Sequence, residues 1–319
     1  MTDEILIQTE HLYRYYSGHC AVADLGFELR RGEILGFLGP NGAGKTTTMQ
    51  MLTGNLAPTS GRIRIHGMDL LERPLAAKRQ IGYLPEQPPL YRELTVREYL
   101  DHCARLHRIP RRQIAAAVDR ATERCGLGEV RNRLIGNLSK GFQQRVGIAQ
   151  AIIHVPAVVI LDEPTVGLDP LQIRHIRELI RDLGREHAVI LSSHILPEIQ
   201  ETCTRVQIIH RGRLVFNEAM DRIDERLRIR ALLLQTSAPA EAERLAAVPG
   251  VSGVQALSER RWRIDYDGDS PAPALAETVV AAGWGLESLE PVRRTLEQVF
   301  VELTAGDPQV VAPASEEAA

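Results

Sequence analysis

Cysteine is rare in this chain, and the four present, Cys20, Cys103, Cys125 and Cys203, stand far apart, with no C-x-x-C pair and no histidine at ligand spacing. That spacing argues against a zinc site and marks the thiols as reduced and structural. None of the ten histidines falls in an H-E-x-x-H frame, so no structural or catalytic transition metal is expected. An excess of charge is lacking too. With 38 basic and 41 acidic residues the formal net charge is -3, which gives no general affinity for nucleic acid or acidic lipid. Long apolar runs are also missing. The longest, Ala151 to Leu161, is broken by His154 and Pro156 and falls far short of the roughly 20 residues a membrane helix needs. The start, Met1-Thr2-Asp3-Glu4, is acidic and without the basic and apolar segments of a secretory signal. A cytoplasmic chain that does not cross a bilayer alone is the expectation.

What is present is a chain of 319 residues with 44% hydrophobic content, enough for one large domain and a smaller one. Short β segments at Ile5-Leu6-Ile7, Gly26 to Leu29 and Ile34 to Phe37 open it, followed by a helix from Lys45 to Leu52 and a period-two strand between Gly61 and Gly67. From about 88 to 155 there is no clear strand. Val96 to His107, Gln113 to Cys125 and Gly141 to Ile153 carry apolar residues three and four apart, which predicts an inserted helical lobe. Val158 to Asp162, Val189 to Ser193, Val206 to His210 and Leu214 to Phe216 then read as strands, with an amphipathic helix from Leu171 to Gly184 between the first two. Continuous apolar strands with helical crossovers indicate a buried, largely parallel sheet and an α/β fold.

The expected division is a large α/β domain over 1–226 and a small α+β domain over 227–304, whose order βαββαβα is ferredoxin-like. A disordered tail over 305–319, rich in Ala, Pro and Glu, completes the chain. A basic cluster, Arg105, His107, Arg108, Arg111 and Arg112, reads either as a solvated helical face or as a surface near lipid headgroups.

Chemistry enters with Gly39-Pro40-Asn41-Gly42-Ala43-Gly44-Lys45-Thr46, which matches G-x-x-x-x-G-K-[ST] between a predicted strand and a predicted helix. Such a loop curls backbone N–H groups around phosphate oxygens, the helix N-terminus adds positive potential, Lys45 reaches the outer phosphates, and the Thr46 hydroxyl ligates Mg²⁺. The second motif, Val158 to Glu163, is an apolar strand ending in two acids. It puts Asp162 where it can hold magnesium and Glu163 where it can orient and deprotonate a water.

With the run Pro164 to Pro170 that follows, these residues resemble the ATPase subunits of ABC transporters. The signature of that family appears as Leu138-Ser139-Lys140-Gly141-Phe142-Gln143-Gln144-Arg145. The resemblance implies a P-loop NTPase (RecA-like) fold with an antiparallel β subdomain. It implies a nucleotide site of Tyr16, Gly39, Pro40, Asn41, Gly42, Ala43, Gly44, Lys45, Thr46 and Thr47. It also implies that Ser139, Lys140, Gly141 and Gln143 meet the γ-phosphate of ATP held by an opposite subunit in a head-to-tail dimer. Asp169 resembles the aspartate of the dimer-contacting loop, and His194 the switch histidine beside the γ-phosphate. Tyr16 falls where the family stacks a ring on adenine. Tyr13 and Tyr15 compete for that role, and core packing is the alternative for Tyr16.

Two departures stand out. The magnesium-contacting glutamine of the family is replaced at Glu86, with Gln87 one step later, so either residue is the sensor and Glu86 joins Thr46 and Asp162 as a candidate metal ligand. The signature carries Lys140 and Phe142 in place of glycine and glutamine. Both departures resemble the branch that serves ABC-2 type exporters, including gliding-motility and multidrug-export ATPases. The resemblance implies ATP and Mg²⁺ as cofactors, a second copy or a homologous ATPase subunit as partner, and an integral membrane permease that the subunit drives from the cytoplasmic face of the plasma membrane. No nucleic acid is expected. The rival is an ABC-type ATPase acting on ribosomes or DNA, against which stand a lone P-loop and the lack of coiled-coil or zinc-bearing insertions.

Overall fold

The computed structural model describes residues 4–223, 228–293 and 295–305. These divide into two compact units, one reaching Asp221 and one over Arg222–Glu302. The boundary falls a few residues before the expected 226.

In the first unit, β3 (Ile34–Leu38), β7 (Val158–Asp162) and β8 (Ala188–Ser193) are buried at every position. Strands covered on both faces have no polar side to show, which is why their sequences run apolar without alternation. With β6 (Ile81–Leu84), β9 (Arg205–His210) and β10 (Arg213–Ala219) they form a sheet ordered β10-β9-β3-β8-β7-β6 among the described residues. Every pairing is parallel except that of β10 with β9. Helix α1 (Lys45–Leu52) follows β3, α6 (Pro170–Gly184) joins β7 to β8, and α7 (Leu196–Thr202) joins β8 to β9. Because β8 lies between β3 and β7, the loops after all three open at one edge of the sheet, and that juxtaposition creates the site.

A second sheet, β2-β1-β4-β5, with β4 over Ser60–Ile65 and β5 over Met68–Asp69, is antiparallel. The expected short strands here are long: β1 (Ile5–Tyr16) and β2 (His19–Arg30) each run 12 residues. Register shifts, with left-handed His11 and Asp24, interrupt their alternation. Bulges displace the side-chain pattern, so only fragments of each strand look like strands in the sequence. Its buried face, with Leu6, Leu12, Leu25 and Phe27, joins one core cluster with Phe37, Ile160 and Ile190 of the parallel sheet.

The inserted lobe is helical as expected, with α3 (Val96–Leu106), α4 (Arg111–Arg124) and α5 (Lys140–Ile152). Helix α2 (Pro74–Lys78) precedes β6. A capping box starts α3. The Thr95 hydroxyl accepts from the Glu98 amide at 3.3 Å, and the Glu98 carboxylate accepts from the Thr95 amide at 2.9 Å, satisfying two of the donors a helix start leaves open. Cys103 and Cys125 are buried in this lobe, and burial pushes their thiols up to about 11 and about 12, which suits inert thiols.

The second unit has β11 (Arg228–Thr236), α8 (Ala242–Ala246), β12 (Val251–Ser258), β13 (Arg261–Tyr266), α9 (Ala272–Ala281) and β14 (Leu286–Arg293). Its sheet is ordered β12-β13-β11-β14 with every pairing antiparallel. That is the ferredoxin-like order the sequence predicted. Leu232, Leu234, Ile264, Leu275, Val279 and both tryptophans of the chain, Trp262 and Trp284, fill its core. Helix α10 (Leu296–Ala305) follows, so Ala305, placed in the tail by the sequence, ends a helix instead. The remainder of that tail, 306–319, lies outside the described residues.

Candidate active site

The loop after β3 turns into α1 at Gly44, which takes φ 105° as the helix N-cap. A Cβ there would stand 2.6 Å from the Ala21 carbonyl oxygen, so the left-handed turn and the close approach both require glycine. The first turn of α1 holds no acidic residue and no side-chain cap, leaving its N–H groups to an anion. Lys45 is buried. Its Nζ donates to the carbonyls of Gly39 at 2.7 Å and Pro40 at 3.3 Å and lies 3.4 Å from Glu163 Oε1. The ammonium thus sits between the loop and the acid after β7.

Asp162, 1% exposed, receives the Ser192 hydroxyl at Oδ1, while its Oδ2 is buried with no hydrogen-bond partner among the described residues. Burial raises its carboxyl above the ordinary range. The nearby Glu86 carboxylate adds to the rise, and Ser192, Thr46 and Lys45 oppose it. A buried acid oxygen without a partner, beside the Thr46 hydroxyl and the Glu86 carboxylate, is the set of hard oxygen donors that suits Mg²⁺.

Glu163 is held in the left-handed region at φ 49°, a strained backbone for a residue with a side chain. Its amide donates to the Ser192 carbonyl at 3.1 Å and lies 3.2 Å from the Ser192 hydroxyl, and these bonds fix the turn. The turn aims the carboxylate away from the strand line, so that Oε2 accepts from His194 Nδ1 at 2.9 Å. A carboxylate only accepts, which makes Nδ1 the protonated nitrogen. Asn41, Lys45, Thr46, Thr47, Glu86, Glu163 and His194 face one open cleft of about 320 Å³.

Of the two sensor candidates, Glu86 lines this cleft and Gln87 does not. Tyr16 ends β1 with 41% of its surface exposed and the Arg14 guanidinium 4.7 Å over its ring. The core-packing alternative therefore falls. Its ring is not among the residues lining the cleft, whereas Ala21 is.

The signature residues Ser139, Lys140, Gly141 and Gln143 do not line this cleft either. Ser139 caps α5, accepting from the Phe142 amide at 3.4 Å. The Gln143 amide donates to the carbonyls of Leu138 at 3.0 Å and Ile135 at 3.3 Å, which fixes the loop ahead of the helix. Gly141 leaves room for the Gln172 side chain, which a Cβ would strike. Asp169 caps α6, accepting from the Gln172 amide at 2.9 Å. The starts of α5 and α6 therefore abut each other through Gly141 and Gln172, while Val166, in the run before Asp169, lines the cleft.

The residue that sequence reasoning missed is Ser192, which bonds both Asp162 and the Glu163 turn. Its signal was present, since two serines end an otherwise apolar strand, but only the parallel pairing of Asp162 with Ser192 gives them a partner.

The ABC transporter family profile matches residues 22–166. The bacitracin transport ATP-binding protein BcrA of Bacillus licheniformis is 41% identical over 225 residues, covering 70% of this chain and 72% of that protein. The uncharacterized ABC transporter ATP-binding protein YxlF of Bacillus subtilis is 31% identical over 298 residues, covering 93% and 99%. A solved structure of the ATP binding subunit of an ABC transporter aligns with TM-score 0.63 and 32% identity, over 69% of this chain and 92% of that one. Phosphate loop, acid pair, the His194–Glu163 hydrogen bond and these relatives converge: the chain belongs to the ATP-binding subunits of ABC transporters, a family that hydrolyses ATP to power transport.

Proposed function

We propose that two such subunits, two copies of this chain or this chain and a homologue, close head to tail on two MgATP molecules and drive a separate ABC-2 type permease from the cytoplasmic face of the membrane, in the direction of export. The observation that carries this reading is a cleft only half furnished. It has the phosphate loop, the acids and the histidine, while the signature helix starts elsewhere on the same chain. A facing subunit would bring its Ser139, Lys140 and Gly141 to the γ-phosphate, with Asp169 beside them. Each subunit then completes the other, and ATP drives closure through its greater affinity for the closed dimer.

In the reaction, the amides of the loop and Lys45 bind the outer phosphates, with Tyr16 stacked on the adenine. Glu163 takes a proton from the attacking water. His194, donating from Nδ1 to Glu163, holds that carboxylate in place and lines the cleft in which the γ-phosphate is bound. Thr46, Asp162 and Glu86 would hold magnesium, which would supply neutralisation of phosphate charge. General-base assistance of this kind is worth about 10² to 10⁴ in rate.

The segment from about Pro88 to Leu100, with Tyr91 47% exposed, is the surface offered to the permease. No helix among the described residues is long and apolar enough to cross a membrane, so the path for cargo belongs to that partner. Export is supported by the departures at Glu86, Lys140 and Phe142 and by relatives such as the bacitracin transport protein.

The test is ATP hydrolysis by the full chain and its Glu163→Gln variant, with size-exclusion chromatography in MgATP. Turnover by the wild type, with a variant about 100-fold slower or worse that accumulates as an ATP-dependent dimer, is the expected result. A variant that hydrolyses at the wild-type rate removes Glu163 from the mechanism.

A further inference from the structure

One buried acid near the site has no part in the mechanism above. Glu198 lies in α7 and is 2% exposed. Its Oε2 accepts two hydrogen bonds, from the Thr165 hydroxyl at 2.7 Å and from the Ser193 hydroxyl at 2.9 Å, while its Oε1 is buried with no partner. No salt-bridge cation meets it among the described residues. A buried carboxylate held by two neutral hydroxyls, with one oxygen unmet, is an expensive group to keep in a fold. A leucine or glutamine of similar size would pack there at lower cost, so stability alone does not account for it.

Its two donors stand at informative positions. Thr165 is two residues after Glu163 and four before Asp169, and Ser193 immediately precedes His194. Both are themselves buried, at 4% and 0%. Ser193 Oγ also accepts from the Ile195 amide at 3.0 Å, so His194 is bracketed between Ser193 and the residue whose amide bonds that hydroxyl. One oxygen of Glu198 thus ties the loop after β7 to the loop after β8, the two loops whose tips meet in the Glu163–His194 hydrogen bond.

We propose that Glu198 is a positioning residue for hydrolysis, a clamp that fixes the loop bearing His194 to the loop bearing Glu163 and so sets the protonated nitrogen and the reach of the histidine. The same clamp links the switch loop to the run that leads into Asp169, so closure of a partner at the dimer loop is transmitted to His194 through Thr165 and Glu198. The proposal rests on the roles given above to Glu163 and His194. It adds a residue that touches neither nucleotide nor water and acts through others.

Glu198→Ala, with Glu198→Gln as the conservative partner, tests this in the full chain. Imidazole ¹⁵N spectra, with His194 assigned by its loss in His194→Ala, read the ring without any need for turnover. The wild-type ring has its proton on Nδ1. In Glu198→Ala it shifts to the Nε2 tautomer or averages between the two, and Glu198→Gln, which keeps an acceptor oxygen, restores the wild-type signal. In turnover, Glu198→Ala loses about 10- to 100-fold in kcat, with ATP affinity within about threefold of wild type, and combining it with His194→Ala is no slower than His194→Ala alone. Should Glu198→Ala not fold, Thr165→Val cuts the clamp from the other loop and is expected to move the His194 signal in the same direction. An unchanged His194 spectrum, or a loss in kcat that multiplies with that of His194→Ala, overturns the clamp. Failure of Glu163→Gln to lose activity would instead remove the underlying mechanism, and that is a distinct result.

Discussion

At the scale of the residue, the site concentrates its cost in Asp162. Its raised carboxyl means that the folded state holds the proton more tightly than the unfolded chain does. The cost is therefore absent well below the ordinary carboxylate range, grows as pH rises through that range, and is complete above the raised value. A cation that supplies the missing partner to Oδ2 cancels it. In thermal unfolding at neutral pH, Asp162→Asn is expected to raise the midpoint by a few degrees in chelator, since 1 kcal/mol moves a domain of this size by about 2–4 °C, while losing both turnover and the gain from magnesium. A variant that melts below wild type in chelator contradicts this. This acid was legible in the sequence as the end of an apolar strand, because a strand running four apolar residues into two carboxylates has few other uses. Its donor Ser192 was not, because β7 and β8 are separated by the whole of α6 and meet only across the sheet.

At the scale of the element, the C-terminal end of α5 is fastened to the start of β6 by His154. Its Nε2 lies 3.1 Å from the Ile81 carbonyl, its Nδ1 is buried without a partner, and its ring stacks on His107 at 3.8 Å. Burial, with His107 as the next cause, drives His154 down to about 4. A second proton would place an N–H against nothing that accepts it. For a histidine whose folded value is depressed, stability is present above the unfolded value and is lost as pH falls from about 6.5 toward 4, on the order of 3 kcal/mol in all. Urea unfolding at pH 7, 5.5 and 4.5 checks this. His154→Gln keeps a donor for Ile81 but cannot titrate, so its stability should fall less steeply with acid than that of the wild type. Equal slopes would show that His154 is not the group responsible. Helix boundaries in this lobe were readable to within two residues, as with α3 and its Thr95 to Glu98 capping box, because the signals are local. The antiparallel strands β1 and β2 were not readable at full length, since bulges at His11 and Asp24 shift the face their side chains take.

At the scale of the whole molecule, the accessory unit over Arg222–Glu302 has its own sheet and core, and we take its role to be bracing or regulating the dimer. Ending the chain at Arg228 in a Glu163→Gln background is expected to weaken the MgATP dimer by about tenfold, or 1.4 kcal/mol, as read by analytical ultracentrifugation. A truncated chain that dimerises, binds its permease and is regulated as before would leave that unit without this role.

By itself the sequence determined the chemistry and the family. A phosphate loop needs glycines, a lysine and a hydroxyl within eight residues, an acid pair needs only a strand end, and the signature and capping motifs are equally short in range. Such requirements are met by neighbours along the chain, so they survive in one dimension. Only the tertiary structure decided what stands beside what. It inserted β8 between β3 and β7, which put Ser192 under Asp162, His194 on Glu163 and Glu198 between the two loops. It gave Glu86 rather than Gln87 to the cleft and kept the signature out of it. The contacts that build the site join residues 30 to 33 positions apart, Asp162 with Ser192, Glu163 with His194 and Thr165 with Glu198. Their partners are chosen by strand order and burial, which no local pattern encodes.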